Sequence, residues 1–277
     1  RSEGVDFRAL RVGLVGPLPP PAGGMANQTR QLSELLRGEG ALVELVQTNA
    51  PYRPSWIAGL KGVRALFRLL PYMARLWQVA GRSDIMHVMA NSGWSWHLLA
   101  VPAIVAGRLR GVPVLINYRG GEAASFLQRS GRQVRFAMQR TASLVVPSGF
   151  LEKVFAEHGM AATVVPNIID PGRFAPDPQG ATDDHIVVTR NLEPIYGIDV
   201  AIRAFAKVRA LRPSARLTVA GSGPQKAVLQ ALAVELGVGD QVHFTGRLDR
   251  DAVAALYRKA RIALYPTHVD NMPYSVL

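Results

Sequence analysis

Short apolar runs with strand character alternate with helical stripes along this chain, and the series begins twice. The first series opens on 11-RVGLVG-16, after which Met25, Thr29, Leu32 and Leu36 recur at helical spacing before Gly38 and Gly40. Strands are expected next at 42-LVELVQT-48, 84-DIMHVMA-90, 112-VPVLINY-118, 143-SLVVPS-148 and 163-TVVPNI-168, with helical patterns between most of them. The stretch 169-IDPGRFAPDPQGATDD-184 then breaks the pattern with three prolines and two glycines and reads as an interdomain linker. The second series runs through strand 185-HIVVTR-190, a helix from Ile198 to Leu211 ended by Pro213, and strand 215-ARLTVAG-221. A helix from Gln225 to Leu236, strand 241-QVHFTG-246, a helix from Asp249 to Lys259 and strand 261-RIALYP-266 complete it. In the first of these helices Ala201, Ala204, Phe205, Val208 and Leu211 read as a core stripe.

Parallel strands need crossovers, and helices supply them while covering both faces of the sheet. The fold class is therefore α/β, with one domain over 1–168, a linker over 169–184 and a second parallel-sheet domain over 185–277. Open sheets of this kind bind ligands at the carboxyl ends of their strands, so a site is expected in a cleft between the domains.

With 277 residues, 48% of them hydrophobic, the chain can build two ordinary cores and is not a disordered protein. Cysteine is absent, which excludes disulfide frameworks, cysteine-ligated zinc and thiol catalysis together. The longest uncharged run, Ile85 to Gly107, holds Asn91, Ser92, His97 and Pro102 and reads as a strand, a loop and a buried helix, so no transmembrane helix is expected. No signal peptide is recognisable from Arg1 onward. At the other end, 271-NMPYSVL-277 reads as part of a helix while the second sheet is still short of strands, and that domain is expected to be incomplete.

Three loops after strands of the second domain hold the residues with chemistry. In 190-RNLEPIYG-197, Arg190 leaves a strand end as a permanent cation suited to phosphate. In 221-GSGP-224, Gly221 and Gly223 let backbone approach a ligand, and Pro224 suits a first helical turn. In 267-THVDNMP-273, Asp270 sits just before a helix.

In this order the motifs resemble the retaining glycosyltransferases of family 4, from residue 11 to residue 277. The resemblance is carried by 164-VVPNIIDPGRF-174, 189-TRNLEPIYGIDVAIRAFAKV-208, 217-LTVAGSGP-224, 242-VHFTGRL-248 and 264-LYPTHVDNMPYSVL-277. In the first half, 22-AGGMA-26 is similar to the double-glycine loop that faces the donor phosphates. The resemblance implies the GT-B fold of two facing Rossmann-like domains, a nucleotide sugar as donor and no cofactor besides it. Arg190 matches the arginine that stabilises the leaving diphosphate, and Asp270 the first of two acids separated by seven residues, the second of which would follow Leu277. A helix starting after Asp270 would turn the N–H groups of Asn271 and Met272 to the donor. Gly23 and Gly24, delivered by the stiff prolines at 17, 19, 20 and 21, would face Arg190 and Asp270 across the cleft.

Two positions depart from the family pattern. Where a lysine is usual six residues after the arginine, Tyr196 stands before Gly197, which makes Arg247 in 244-FTGR-247 the expected second cation. Where a histidine is often placed near the sugar, 117-NYRGGE-122 has Arg119, suited either to acceptor recognition or to an ion pair with Glu122.

Basic character belongs to the first half: residues 1–168 carry 19 basic and 9 acidic side chains, residues 169–277 carry 13 and 11. No acid lies between Glu44 and Asp84, where Lys61, Arg64, Arg68 and Arg75 fall on one helical face beside Trp56, Leu60, Phe67, Leu70 and Trp77. Two readings are open. One is an interfacial helix on anionic lipid; the other is a domain helix whose apolar side is core and whose arginines are solvated. Pro71 is expected to kink or split this helix. Arg129, Arg132, Arg135 and Arg140 would enlarge the positive surface, but no nucleic-acid motif accompanies them. His87 reads as a satisfied core histidine, and six scattered histidines without ligand spacing give no expectation of a metal.

The expected activity is retaining, metal-independent sugar transfer from a nucleoside-diphosphate sugar to a saccharide or lipid-linked acceptor in polysaccharide or glycoconjugate assembly. Its expected place is the inner face of the cytoplasmic membrane. A non-catalytic scaffold on a degenerate transferase fold is the alternative that Tyr196 motivates, and a sugar-nucleotide epimerase of the same fold is a third. Nucleobase, sugar and acceptor are not legible in these residues.

Overall fold

The computed structural model of the chain describes residues 6–20, 23–51, 64–167, 172, 174 and 184–268. The expected linker 169–184 lies almost wholly outside them. The chain divides into two compact units, Arg1–Asn167 and Ile168–Leu277.

In the first unit β1 (Arg11–Gly16), β2 (Leu42–Gln47), β3 (Ile85–Ala90), β4 (Val114–Tyr118), β5 (Ser143–Val146) and β6 (Thr163–Val164) form a sheet in the order β2-β1-β3-β4-β5-β6. All neighbours are parallel. Between them run α1 (Gly24–Gly38), α2 (Arg64–Ala80), α3 (Val101–Leu109), α4 (Ala123–Met138) and α5 (Gly149–Glu157). Because β1 is covered on both faces, its apolar run is continuous rather than alternating, with every residue after Arg11 buried. The core gathers Leu76 and Val79 from α2, Ile104 from α3, Ile116 from β4 and Phe155 from α5.

Pro71 does not split α2, which runs unbroken from Arg64 to Ala80. Proline removes one N–H and crowds the preceding turn. The residue is exposed, however, and the burial of Tyr72, Leu76, Val79 and Ala80 on the opposite face holds the helix together. The run Ile85 to Gly107 is a strand, a loop and a helix as expected, with a π-helical turn at Trp96–Ala100 that the sequence did not announce.

In the second unit β7 (His185–Val188), β8 (Arg216–Ala220), β9 (Val242–Gly246) and β10 (Ile262–Ala263) form a parallel sheet in the order β10-β7-β8-β9. Its helices are α6 (Ile198–Leu211), α7 (Lys226–Glu235) and α8 (Arg250–Lys259). The buried arc of α6 is Ile198, Ala201, Ile202 and Phe205, spaced at three and four residues. Ala204 and Leu211 lie outside this arc and are exposed, which corrects the expected stripe. No helix among the described residues is long and apolar enough to cross a membrane.

Each sheet changes direction once. In the first, the chain steps from β1 to β2 and then returns past β1 to β3; in the second, β10 comes back to the free side of β7. The carboxyl ends at these switch points are where open α/β sheets bind ligands. They carry the segment that leaves β1 at residue 17 in one unit and the loops 189–197 and 264–268 in the other.

Candidate functional site

In the second unit three loops are laced together at the end of β7. Leu192 N–H donates to the Ser222 carbonyl (3.0 Å), and the Gln225 N–H donates to the Leu192 carbonyl (3.1 Å). Gly221 N–H donates to the Gly246 carbonyl (2.9 Å), and His268 N–H to the Ile195 carbonyl (3.0 Å). The glycines make the approach possible. A Cβ on Gly221 would lie 1.9 Å from the Arg190 carbonyl oxygen, and one on Gly223 would lie 2.4 Å from that of Leu192. Gly197 has φ 61°, and a Cβ there would come within 2.2 Å of the Pro266 carbonyl. Gly221 and Gly223 thus have a partner inside the protein.

Arg190 occupies the centre of this lacing, two residues beyond the last residue of β7. Its guanidinium carbon stands 4.2 Å from the centre of the Tyr196 ring. Half-buried, it has its pKa lowered chiefly by desolvation, against which Tyr196, Tyr265 and Tyr257 act. Next to it Tyr257 and Tyr265 share a hydroxyl hydrogen bond of 2.6 Å, and Thr189 Oγ1 bonds both phenols, 3.2 Å from that of Tyr265. Burial raises the Tyr257 phenol well above its ordinary value, so that phenol remains neutral. A β-bulge between β8 and β9 pairs Val219 with Phe244 and Ala220 with Gly246, and Arg247 follows it, exposed. A half-buried cation on a rigid strand end is a means of stabilising a phosphate anion.

The first unit builds a separate polar chain. Arg119 Nε donates to Asn117 Oδ1 (2.6 Å), and Asn117 Nδ2 donates to His87 Nε2 (3.1 Å). The Arg119 guanidinium also donates to Asn167 Oδ1, which accepts from Gln28 Nε2 at 3.1 Å. Burial first, and the Arg119 charge second, push the His87 ring down to about 4, so it is neutral and accepts from Asn117. At the start of α1, Gly23 is an extended N-cap without a side-chain hydrogen bond, and the first turn holds no acid.

A family model described as Glycosyltransferase Family 4 matches residues 22–173, more than half of the chain. The chain belongs to this family. A second model, Glycosyl transferases group 1, matches residues 175–277. Among curated relatives, a D-inositol 3-phosphate glycosyltransferase of Segniliparus rotundus is 25% identical over 90% of this chain and 65% of its own length. A GDP-mannose-dependent alpha-(1-6)-phosphatidylinositol monomannoside mannosyltransferase of Mycolicibacterium smegmatis is 27% identical over 82% of this chain and 67% of its own. The chain thus spans about two thirds of these relatives. Among solved structures, a glycosyltransferase from Rickettsia africae superposes with TM-score 0.68 at 13% identity, covering 94% of this chain and 74% of the other. HepE of Anabaena, solved with UDP and glucose, superposes with TM-score 0.62 at 15% identity over 93% of this chain and 74% of its own. The solved relatives are GT-B glycosyltransferases, and two Rossmann-like parallel sheets are what this chain has.

In this member of family 4 the structure brings together Arg190, Tyr196, Gly221 and Gly223 on the laced loops, with Arg247 just past the end of β9. Asp270, Asn271 and Met272 lie outside the described residues, as does Lys61. Arg119 is bonded to Asn117 and Asn167, while Glu122 is the exposed N-cap of α4. On α2, which Arg64 opens, Arg75 is paired with Glu44 (3.2 Å) and Arg68 is half-buried. Exposed on the same helix with Arg75 are the apolar Leu66, Phe67, Leu70, Met73 and Trp77. The bonds of Thr189 to Tyr257 and Tyr265 and the link from Arg119 to Asn167 had no signal in the sequence, since these partners lie 48 to 76 positions apart.

Proposed function

We propose that the protein transfers a sugar from a nucleoside diphosphate to a saccharide or lipid-linked acceptor, with retention and without a metal ion. The observation that carries this reading is Arg190, fixed at the switch point of the second sheet by loops that hold one another's backbones. Breaking the bond from sugar to phosphate builds negative charge on the leaving diphosphate, and a preoriented cation in a water-poor site stabilises that charge directly. The departing phosphate then helps take the proton of the acceptor hydroxyl, which attacks from the same side. Gly23, Gly24, Arg247, Asn271 and Met272 complete the donor contacts in this reading, and Arg119 serves the acceptor side.

The acceptor is proposed to be met at the inner face of an anionic membrane. Support comes from the basic first half, from the five exposed apolar side chains of α2, and from the phosphatidylinositol-linked substrate in one relative's name. The test is Arg190→Ala, assayed by nucleoside-diphosphate release from UDP-glucose, GDP-mannose and ADP-glucose. Loss of about 10²- to 10³-fold in kcat with an unchanged unfolding transition is expected. Turnover near that of the parent overturns the assignment, and thermal stabilisation by a nucleotide without any turnover favours the scaffold.

A further inference from the structure

Position 196 holds a tyrosine where the resemblance leads to a lysine, and the ring does not turn away from the site. Its centre lies 4.2 Å from the Arg190 guanidinium carbon, inside the range of cation–π attraction. The backbone holds it there. Pro194–Tyr196 is a single 3₁₀ turn in which the Tyr196 N–H donates to the Glu193 carbonyl (3.1 Å). The turn closes at Gly197, in the left-handed region and seated on the Pro266 carbonyl. The same side chain packs on the hydrophobic core of the second unit, so the ring is anchored independently of the arginine.

We infer that Tyr196 is the positioning residue for Arg190, holding the guanidinium in the orientation needed when charge builds on the leaving diphosphate. This rests on the donor-site reading above. A lysine would add a second charge on a flexible stem, whereas the aromatic ring restrains the cation already present. Restraint of this kind acts in the transition state, because a preoriented group needs no rearrangement as charge develops. Tyr257 and Tyr265 both bond the hydroxyl of Thr189, the residue before Arg190, and so fix the backbone from which the guanidinium extends.

The experiment compares Tyr196→Phe, which retains the ring, with Tyr196→Leu, which retains apolar bulk against the core but has no π face. The readouts are kcat and KM for nucleoside-diphosphate release from the same three donors, with thermal unfolding as a check on folding. Tyr196→Leu is expected to lower kcat about tenfold with the donor KM changed less than about twofold, while Tyr196→Phe stays within about threefold of the parent. Parental kcat in the leucine variant overturns the inference, and so does equal loss in both variants, which assigns the effect to the hydroxyl. Arg190→Ala in the same assay separates the two readings. If it is inert and Tyr196→Leu keeps the parental kcat, the positioning role alone has failed. If it turns over normally, or the parent is silent with all three donors, the donor-site reading has failed.

Discussion

Replacing Gly221 by alanine tests whether the three loops depend on one another. The added Cβ would lie 1.9 Å from the Arg190 carbonyl oxygen and 2.9 Å from its carbon, whereas real Cβ atoms essentially never come closer than 3.0 Å. Roughly an ångström of movement is therefore required, and no flexible side chain can supply it, because both obstructing atoms are backbone. The neighbouring bonds limit the escape, since Gly221 is tied to Gly246 and Ser222 to Leu192. Overpacking of this kind costs about 1–3 kcal/mol, and one broken backbone hydrogen bond adds about 1. For a unit of this size that corresponds to a fall in Tm of about 10 °C. An ångström at Arg190 is also enough to lower turnover about 10²-fold. Gly38→Ala is the control: a Cβ there meets nothing within 4 Å, and the substitution should stabilise by about 0.5–1 kcal/mol. Denaturant unfolding and diphosphate release measure both quantities. If Gly221→Ala unfolds within about 0.5 kcal/mol of the parent and turns over normally, the lacing does not set the site.

Two further outcomes are expected. Leu70→Glu with Met73→Glu, both exposed in the parent, should leave the unfolding transition unchanged and lower flotation with phosphatidylglycerol vesicles at least about tenfold; a parent chain that floats with neither neutral nor anionic vesicles refutes the membrane reading. Folding depresses the His87 pKa to about 4 from about 6.5, so the unfolded chain binds the extra proton between those values. Stability is therefore complete above pH 6.5 and falls by of order 2–3 kcal/mol as the pH drops towards 4, and His87→Gln should flatten the part of the pH profile that His185, shifted the same way, does not cause.

The strands were legible because buried parallel strands are continuous apolar runs bounded by turn residues. Their carboxyl ends were overestimated where the chemistry begins: Thr189 and Arg190, read as the end of a strand, have already left the ladder. Periodicity also could not orient α2, which carries one apolar stripe at Tyr72, Leu76 and Val79 and a second at Leu66, Leu70, Met73 and Trp77. Both have helical spacing, and only the sheet beneath decides which is buried. Arg190 is legible from its place after a strand, and Tyr196 from its place six residues on, but the bonds that tie Thr189 to Tyr257 and Tyr265 are made by tertiary packing alone.

The glycines of the two units stand for different reasons, and the difference can be measured. Gly221 and Gly223 are required by the protein itself, since backbone atoms occupy the place of their side chains. At Gly23 and Gly24 a Cβ would meet nothing within 4 Å, and neither residue has a positive φ. Gly23 is the N-cap of α1, a position where glycine is itself favoured over alanine, and Gly24 is the first residue of the helix. The cap thus accounts for glycine at 23, while internal packing against the described residues and backbone strain give no reason for it at 24. What remains is close approach from outside, at a helix start with an extended, uncapped N-cap and no acid in its first turn. Gly24→Ala should therefore unfold at or near the parental temperature while the donor KM rises about tenfold or more. Unchanged KM in a stable Gly24→Ala variant removes this loop from the donor site.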